Sequence, residues 1–232
     1  MASSTCSDMS CSFKPKWERR KDARPQELLA AALDLFVERG FAATRLDDVA
    51  RAAGVSKGTL YLYFSSKEEL FKAVVRETIV PIIGAAEVMM GEFSGDSEEL
   101  FRAIVTTWWQ QMGDSKLSGL PKLMMAEACN FPELATFYQE EVVNRGERLV
   151  ANMLKRGMER GEIRQVDLEI DARLLIAPMI MMMMWKHSSG VCQVEPDKLD
   201  LYLQHYIEMG LYGLLIRKAL PEPVSGSSQP QA

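Results

Sequence analysis

Residues 44–70, reading TRLDDVARAAGVSKGTLYLYFSSKEEL, constrain the fold more than any other stretch of this 232-residue chain. Thr44 with Asp47 three positions later predicts a helix N-cap, and Asp47 and Asp48 fall where the positive end of a helix dipole favours carboxylates. Leu46, Val49 and Ala50 then recur at helical spacing, and Gly54 supplies a left-handed stop. Ser56 caps a second short helix. In it Leu60 and Phe64 face the first helix, leaving Lys57, Thr59, Tyr61 and Tyr63 outward. Two short helices around a glycine turn, with hydroxyls and a lysine on the outer face, suit a DNA major groove. Ser65 or Ser66 caps a third helix, whose first turn carries Lys67 and whose amides are free to meet a phosphate.

The rest of the chain is also helical in pattern. Hydrophobic residues make up 47 % of the sequence, and they recur at three- and four-residue spacing, so an all-α protein of about nine helices is expected. The net charge is −5, but it is unevenly spread: residues 1–70 hold 11 Lys or Arg against 10 Asp or Glu, and residues 71–232 hold 16 against 22. The acidic excess therefore lies outside the DNA-reading stretch. Cys6, Cys11, Cys129 and Cys192 form no CxxC pair and no disulfide framework, which fits a reducing cytoplasm. The N-terminus lacks the apolar core of a signal peptide. The most apolar run, Leu174 to Trp185, is too short to span a bilayer.

Read in order, residues 1–23 form a Ser-rich, then basic arm expected to be disordered, and Pro25 to Arg39 is a helix whose Leu28, Leu29, Ala32, Leu35 and Phe36 make one apolar stripe. Lys67 to Met90 reads as one longer helix, kinked or broken at Pro81. Asp96 or Ser97 caps a helix running to Gly113, followed by helices over 117–129 and from Pro132 to about Arg160. Asp167 to Lys186 and Pro196 to Leu220 are the last two, apolar nearly all round, and 221–232 is a polar tail.

The run AAGVSKGTLYLYFSSKEEL, with Val49 and Ala50 before it, resembles the N-terminal signature of the tetracycline-repressor-like (TetR) family of bacterial regulators, over about residues 24–71. The resemblance implies a three-helix DNA-binding head over 24–70 and an effector-binding and dimerisation domain over 71–220. It maps DNA contacts onto Thr44, Lys57, Gly58, Thr59, Tyr61, Tyr63 and Lys67. Arg45 stands where such sequences often carry Ser or Thr, and it adds a candidate phosphate contact. Gly58 lets the backbone approach the duplex, the tyrosine hydroxyls and Lys67 suit phosphate, and Lys57 or Thr59 reach base edges.

The resemblance also implies a ligand cavity. Trp108, Trp109, Met112, Met124, Met125, Phe137, Tyr138 and Trp185 fall on the helices that enclose it, and such a lining suits flat or greasy effectors. Glu127 and His187 are candidate polar groups. The expected partners are an operator duplex, a small-molecule effector and a second copy held through the last two helices; no cofactor is called for. The expected activity is repression released by ligand, with a ligand-independent DNA-binding protein or a metal or thiol sensor as alternatives. An enzyme is not expected, since the chain has no HExxH, no Gly-rich phosphate loop and no GxSxG.

Overall fold

The computed structural model describes residues 24–188, 195 and 198–216. The arm over 1–23, the tail over 221–232, Cys6, Cys11 and Cys192, and the end of the last helix lie outside the described residues. Those residues form ten α-helices and no strand. Two of the ten, α7 and α8, run together through a π turn, so the rods number nine.

The first three helices pack as a unit around aromatic rings. α1 (Arg24–Arg39) ends where Gly40 takes φ +88°, a left-handed conformation that only glycine adopts without a Cβ penalty. α2 (Leu46–Ala52) buries Val49 and Ala50, and Gly54, at φ +66°, turns the chain into α3 (Lys57–Tyr63). Ser56 caps α3, its hydroxyl accepting from Thr59 N at 3.1 Å. The rings of Phe36, Phe41 and Phe71 meet pairwise at 5.4–5.7 Å and tie α1 and its turn to α4 (Lys67–Glu92).

α4 is unbroken for 26 residues, although it contains Pro81. A proline in a helix interior removes one ladder bond and usually kinks the rod. Here its ring lies on the exposed side, while Ile79 and Ile83 on either side are buried, so tertiary packing holds the helix through the defect.

α5 (Ser97–Trp108) starts with a capping box: Glu99 N donates to Asp96 Oδ1 at 2.8 Å and Asp96 N to Glu99 Oε2 at 3.2 Å. A π turn over Trp109–Gly113 and a 3-10 turn over Lys116–Gly119 follow. The expected helix over 117–129 is correspondingly shorter: α6 spans Leu120–Glu127. The expected rod from Pro132 to Arg160 divides into α7 (Pro132–Tyr138), a π turn over Gln139–Val143 and α8 (Asn144–Glu159). α9 (Leu168–Lys186) is capped by Asp167, and α10 (Leu199–Leu214) packs across α5 and α9.

Candidate DNA-reading face and ligand cavity

α3 presents a polar and aromatic face opposite its one buried residue, Leu60. At 100° per residue, Gly58 and Leu62 lie farthest from Leu60, with Lys57 and Tyr61 on one flank and Thr59 and Tyr63 on the other. Lys57, Gly58, Tyr61, Leu62 and Tyr63 are all exposed. The Lys57 amine bonds Asp47 of α2 at 2.9 Å and lies 5.8 Å from the Tyr61 ring centre, and the Asp47 hydrogen bond raises its pKa. The Thr59 hydroxyl is paired with that of Ser56 at 2.8 Å. Leu62 is 84 % exposed, the highest value among the large exposed hydrophobic residues described. Reading the sequence for polar groups passed over it; its exposure follows from standing opposite Leu60 on the helix.

Two of the expected contact residues, Thr44 and Lys67, are bonded within the protein. Thr44 is not the cap of α2: Arg45 occupies that position without a side-chain cap bond, and Thr44 is 2 % exposed. The Thr44 hydroxyl points inward, donating to Gly40 O, just past the end of α1, at 2.7 Å and to Leu35 O, in its last turns, at 3.1 Å. Lys67 also turns inward. Its amine donates to Phe41 O at 2.7 Å and Ala42 O at 3.1 Å and lies 4.5 Å from the Phe41 ring centre, and burial lowers its pKa. It pins the start of α4 to the α1–α2 turn. Arg45 is exposed beside that turn.

Helices α4 to α9, with Tyr206 of α10, wall a cavity of about 590 Å³. This lies within the ~300–1,000 Å³ common for small-molecule sites. Five of the eight residues expected in it are there: Trp108, Met112, Met124, Met125 and Tyr138. Three are elsewhere. Trp109 is one position on from Trp108, so its ring turns into the core, where its indole nitrogen has no partner among the described residues. Phe137 lies under the Arg76 guanidinium, 4.9 Å from its ring centre, and Trp185 packs edge-on against Tyr202 of α10 at 5.8 Å. The sequence reading missed the α4 wall (Ile79, Ile82, Ile83) and the charged pair at the α8–α9 side, where Arg173 Nε donates to Glu147 Oε1 at 3.1 Å.

One wall of the cavity is fastened to the N-terminal unit. Met124, Met125 and Ala128 line the cavity from α6 and its end, and Glu127 between them accepts from Ala42 N at 2.9 Å. Phe131, just beyond, meets the Phe41 ring at 4.7 Å. Lys116 pairs with Asp34 of α1 at 2.6 Å, and a Cβ on Gly119 would come within 2.4 Å of Val37. His187 is not in the cavity; its Nε2 pairs with the Ser118 hydroxyl at 2.7 Å, and burial lowers its pKa. Among the described residues no group of three or more His, Cys, Asp and Glu could hold a metal ion, and no helix is long and apolar enough to cross a membrane.

Comparison with known proteins fits this geometry. Residues 28–74 match the family "Bacterial regulatory proteins, tetR family", and residues 92–191 match "Tetracyclin repressor-like, C-terminal domain". The chain belongs to the tetR family. It is thus a DNA-binding transcriptional regulator, and α2 and α3 are its helix-turn-helix. Among tetR-family relatives, the HTH-type transcriptional repressor KstR2 of Rhodococcus jostii is 29 % identical over 84 % of this chain and 92 % of that one. The transcriptional activator FasR of Mycolicibacterium smegmatis is 36 % identical over 38 % of this chain and 40 % of its own. The fold matches that of FadR from Bacillus subtilis in complex with stearoyl-CoA, with TM-score 0.67 and 20 % identity over 81 % of this chain and 98 % of that one.

Proposed function

We propose that this regulator is a repressor, and that a largely hydrocarbon effector in the cavity releases it from a pseudo-palindromic operator. The observation that carries the reading is α6, which lines the cavity with Met124 and Met125 and grips the α1–α2 turn through Glu127. Residues 24–70 act as the DNA-binding head and residues 71–220 as the effector and dimerisation domain. Lys57, Gly58, Thr59, Tyr61, Leu62 and Tyr63 meet the major groove, and Arg45 meets phosphate beside it. Thr44 and Lys67 act indirectly, by fixing the turn that orients α2 and α4.

A single helix-turn-helix reads few base pairs, so two heads must bind together. The apolar side chains exposed on α9 and α10, among them Ile170, Leu174, Leu201 and the 76 % exposed Met209, support pairing of two copies as a four-helix interface. Ligand then selects a head spacing that no longer fits successive major grooves, about 34–36 Å apart. Two relatives support the reading: KstR2 of R. jostii is a repressor, and B. subtilis FadR holds stearoyl-CoA on the same fold. The test is fluorescence anisotropy of an operator duplex selected from genomic DNA, titrated with stearoyl-CoA and with other apolar compounds. Release at micromolar ligand is expected; an operator complex indifferent to every apolar ligand that binds the protein would overturn the effector reading.

A further inference from the structure

Among the polar groups of the cavity lining, one is a tyrosine hydroxyl without a protein partner. Tyr138 ends α7, is only 8 % exposed, and lines the cavity. Burial alone pushes its phenol far above its ordinary pKa of 10.0, so the group is a neutral hydroxyl. That hydroxyl makes no hydrogen bond to a described residue, and, unlike the Trp109 indole nitrogen, it is open to the cavity rather than sealed in the core. The second tyrosine of the lining differs: Tyr206 donates to Leu175 O at 2.6 Å. A donor without a protein partner in an apolar cavity is met by water or by a ligand acceptor, so it marks a place where a ligand oxygen fits.

The charges around the lining limit what that acceptor can be. Its two charged side chains, Glu147 and Arg173, pair with each other, and Arg173 also reaches Glu169 at 3.4 Å. The neutral Gln139 amide donates one N–H to Asn144 Oδ1 at 2.8 Å. The rest of the lining is aliphatic, Met and aromatic side chains, with the Trp108 indole N–H as a further donor and no further charge. A carboxylate beside Tyr138 would lose its water with no uncommitted cation to replace it, whereas a neutral carbonyl loses far less.

We infer that the effector is a hydrocarbon-rich molecule carrying an uncharged carbonyl oxygen, a ketone, ester or thioester, that accepts a hydrogen bond from Tyr138. This rests on the proposed reading of the cavity as the effector site, and it makes Tyr138 the residue that separates such molecules from plain hydrocarbons and from free acids.

Isothermal titration calorimetry of the full chain with three probes of one size tests it: 2-undecanone, 2-methyl-1-undecene, in which CH₂ replaces the carbonyl oxygen, and undecanoate at pH 7.5. One neutral hydrogen bond corresponds to about a five- to tenfold advantage of ketone over alkene in the wild type. Tyr138→Phe should erase that advantage and leave alkene affinity within about twofold. Undecanoate should bind more weakly than the ketone. The variant keeps the ring and removes an unpaired hydroxyl, so its Tm should equal or exceed that of the wild type, which separates a binding effect from misfolding. A ketone advantage that survives in Tyr138→Phe, its absence in the wild type, or tightest binding of undecanoate would overturn the inference. Binding of none of the three to wild type would overturn it together with the cavity reading. Ketone binding through Tyr138 without operator release would uphold it and refute only the proposed release mechanism.

Discussion

Replacing Thr44 with valine keeps the shape of the side chain and removes its hydroxyl, which separates a structural role from a DNA-contacting one. The hydroxyl donates to Gly40 O at 2.7 Å and Leu35 O at 3.1 Å, and one proton serves both. Gly40 O gains no replacement donor in the variant. Leaving a buried acceptor unmade costs about 1–3 kcal/mol; because the Gly40 site is only part-buried, the lower half of that range, about 1–2 kcal/mol, is expected. At about 2–4 °C per kcal/mol for a chain of this size, Tm should fall by about 2–8 °C. Thr44→Ser retains the hydroxyl and loses one buried methyl, worth about 0.8 kcal/mol, so it should be milder. Thermal melts with operator titrations read both effects. At a temperature where both proteins are folded, Thr44→Val should bind operator within about twofold of wild type. A variant as stable as wild type that binds many times more weakly would refute the inward role and restore Thr44 as a DNA contact.

Three further outcomes follow from the same geometry. Glu127→Ala removes the acceptor of Ala42 N, so ligand affinity in the cavity should persist while the factor by which ligand weakens operator binding shrinks; by reciprocity, operator should then weaken ligand binding by the same reduced factor, and unchanged coupling would count against α6 as the link. Leu62 stands on the outermost line of α3, so uracil in place of one thymine per half-site should weaken wild-type binding about fourfold, the worth of one buried methyl, and should leave Leu62→Ala unaffected; equal losses in both proteins would remove Leu62 from base readout. Glu162 accepts from the Ser97 hydroxyl at 2.6 Å and from its amide at 2.9 Å, and these bonds lower its carboxyl pKa from an ordinary 4.5. The depressed folded value means that its stabilising contribution is full above about pH 4.5 and is lost as pH falls below it; Ser97→Ala should flatten that acid limb in urea melts, and an unaltered limb would contradict the assignment.

Local chemistry was legible in the sequence and tertiary approach was not. Ser56 and Asp96 cap their helices, and Gly54 takes positive φ after α2, because those choices depend on a few neighbouring atoms. Thr44 and Lys67 had surface-like patterns, yet both turn toward carbonyls of the α1–α2 turn, the latter 25–26 residues away in sequence. Pro81 signalled a break that packing on both sides overrides. The π turns at Trp109 and Gln139 leave no composition signal, and they interrupt rods that the spacing read as continuous. In the cavity, Trp108 and Trp109 are neighbours 100° apart on a helix, and only the separation of α5 from α6 and α9 decides which faces the void. The same ambiguity hid the isoleucines of α4, which read equally well as core.

The most direct measurement is selection of genomic DNA fragments by the purified full chain, with Tyr61→Ala in parallel and both at two salt concentrations. The account predicts one pseudo-palindromic site with half-sites about one helical turn apart, bound less tightly as salt rises and lost in Tyr61→Ala although that variant stays folded. Recovery of no site by the folded protein, or of the same site with equal affinity by Tyr61→Ala, would contradict α3 as the reading helix.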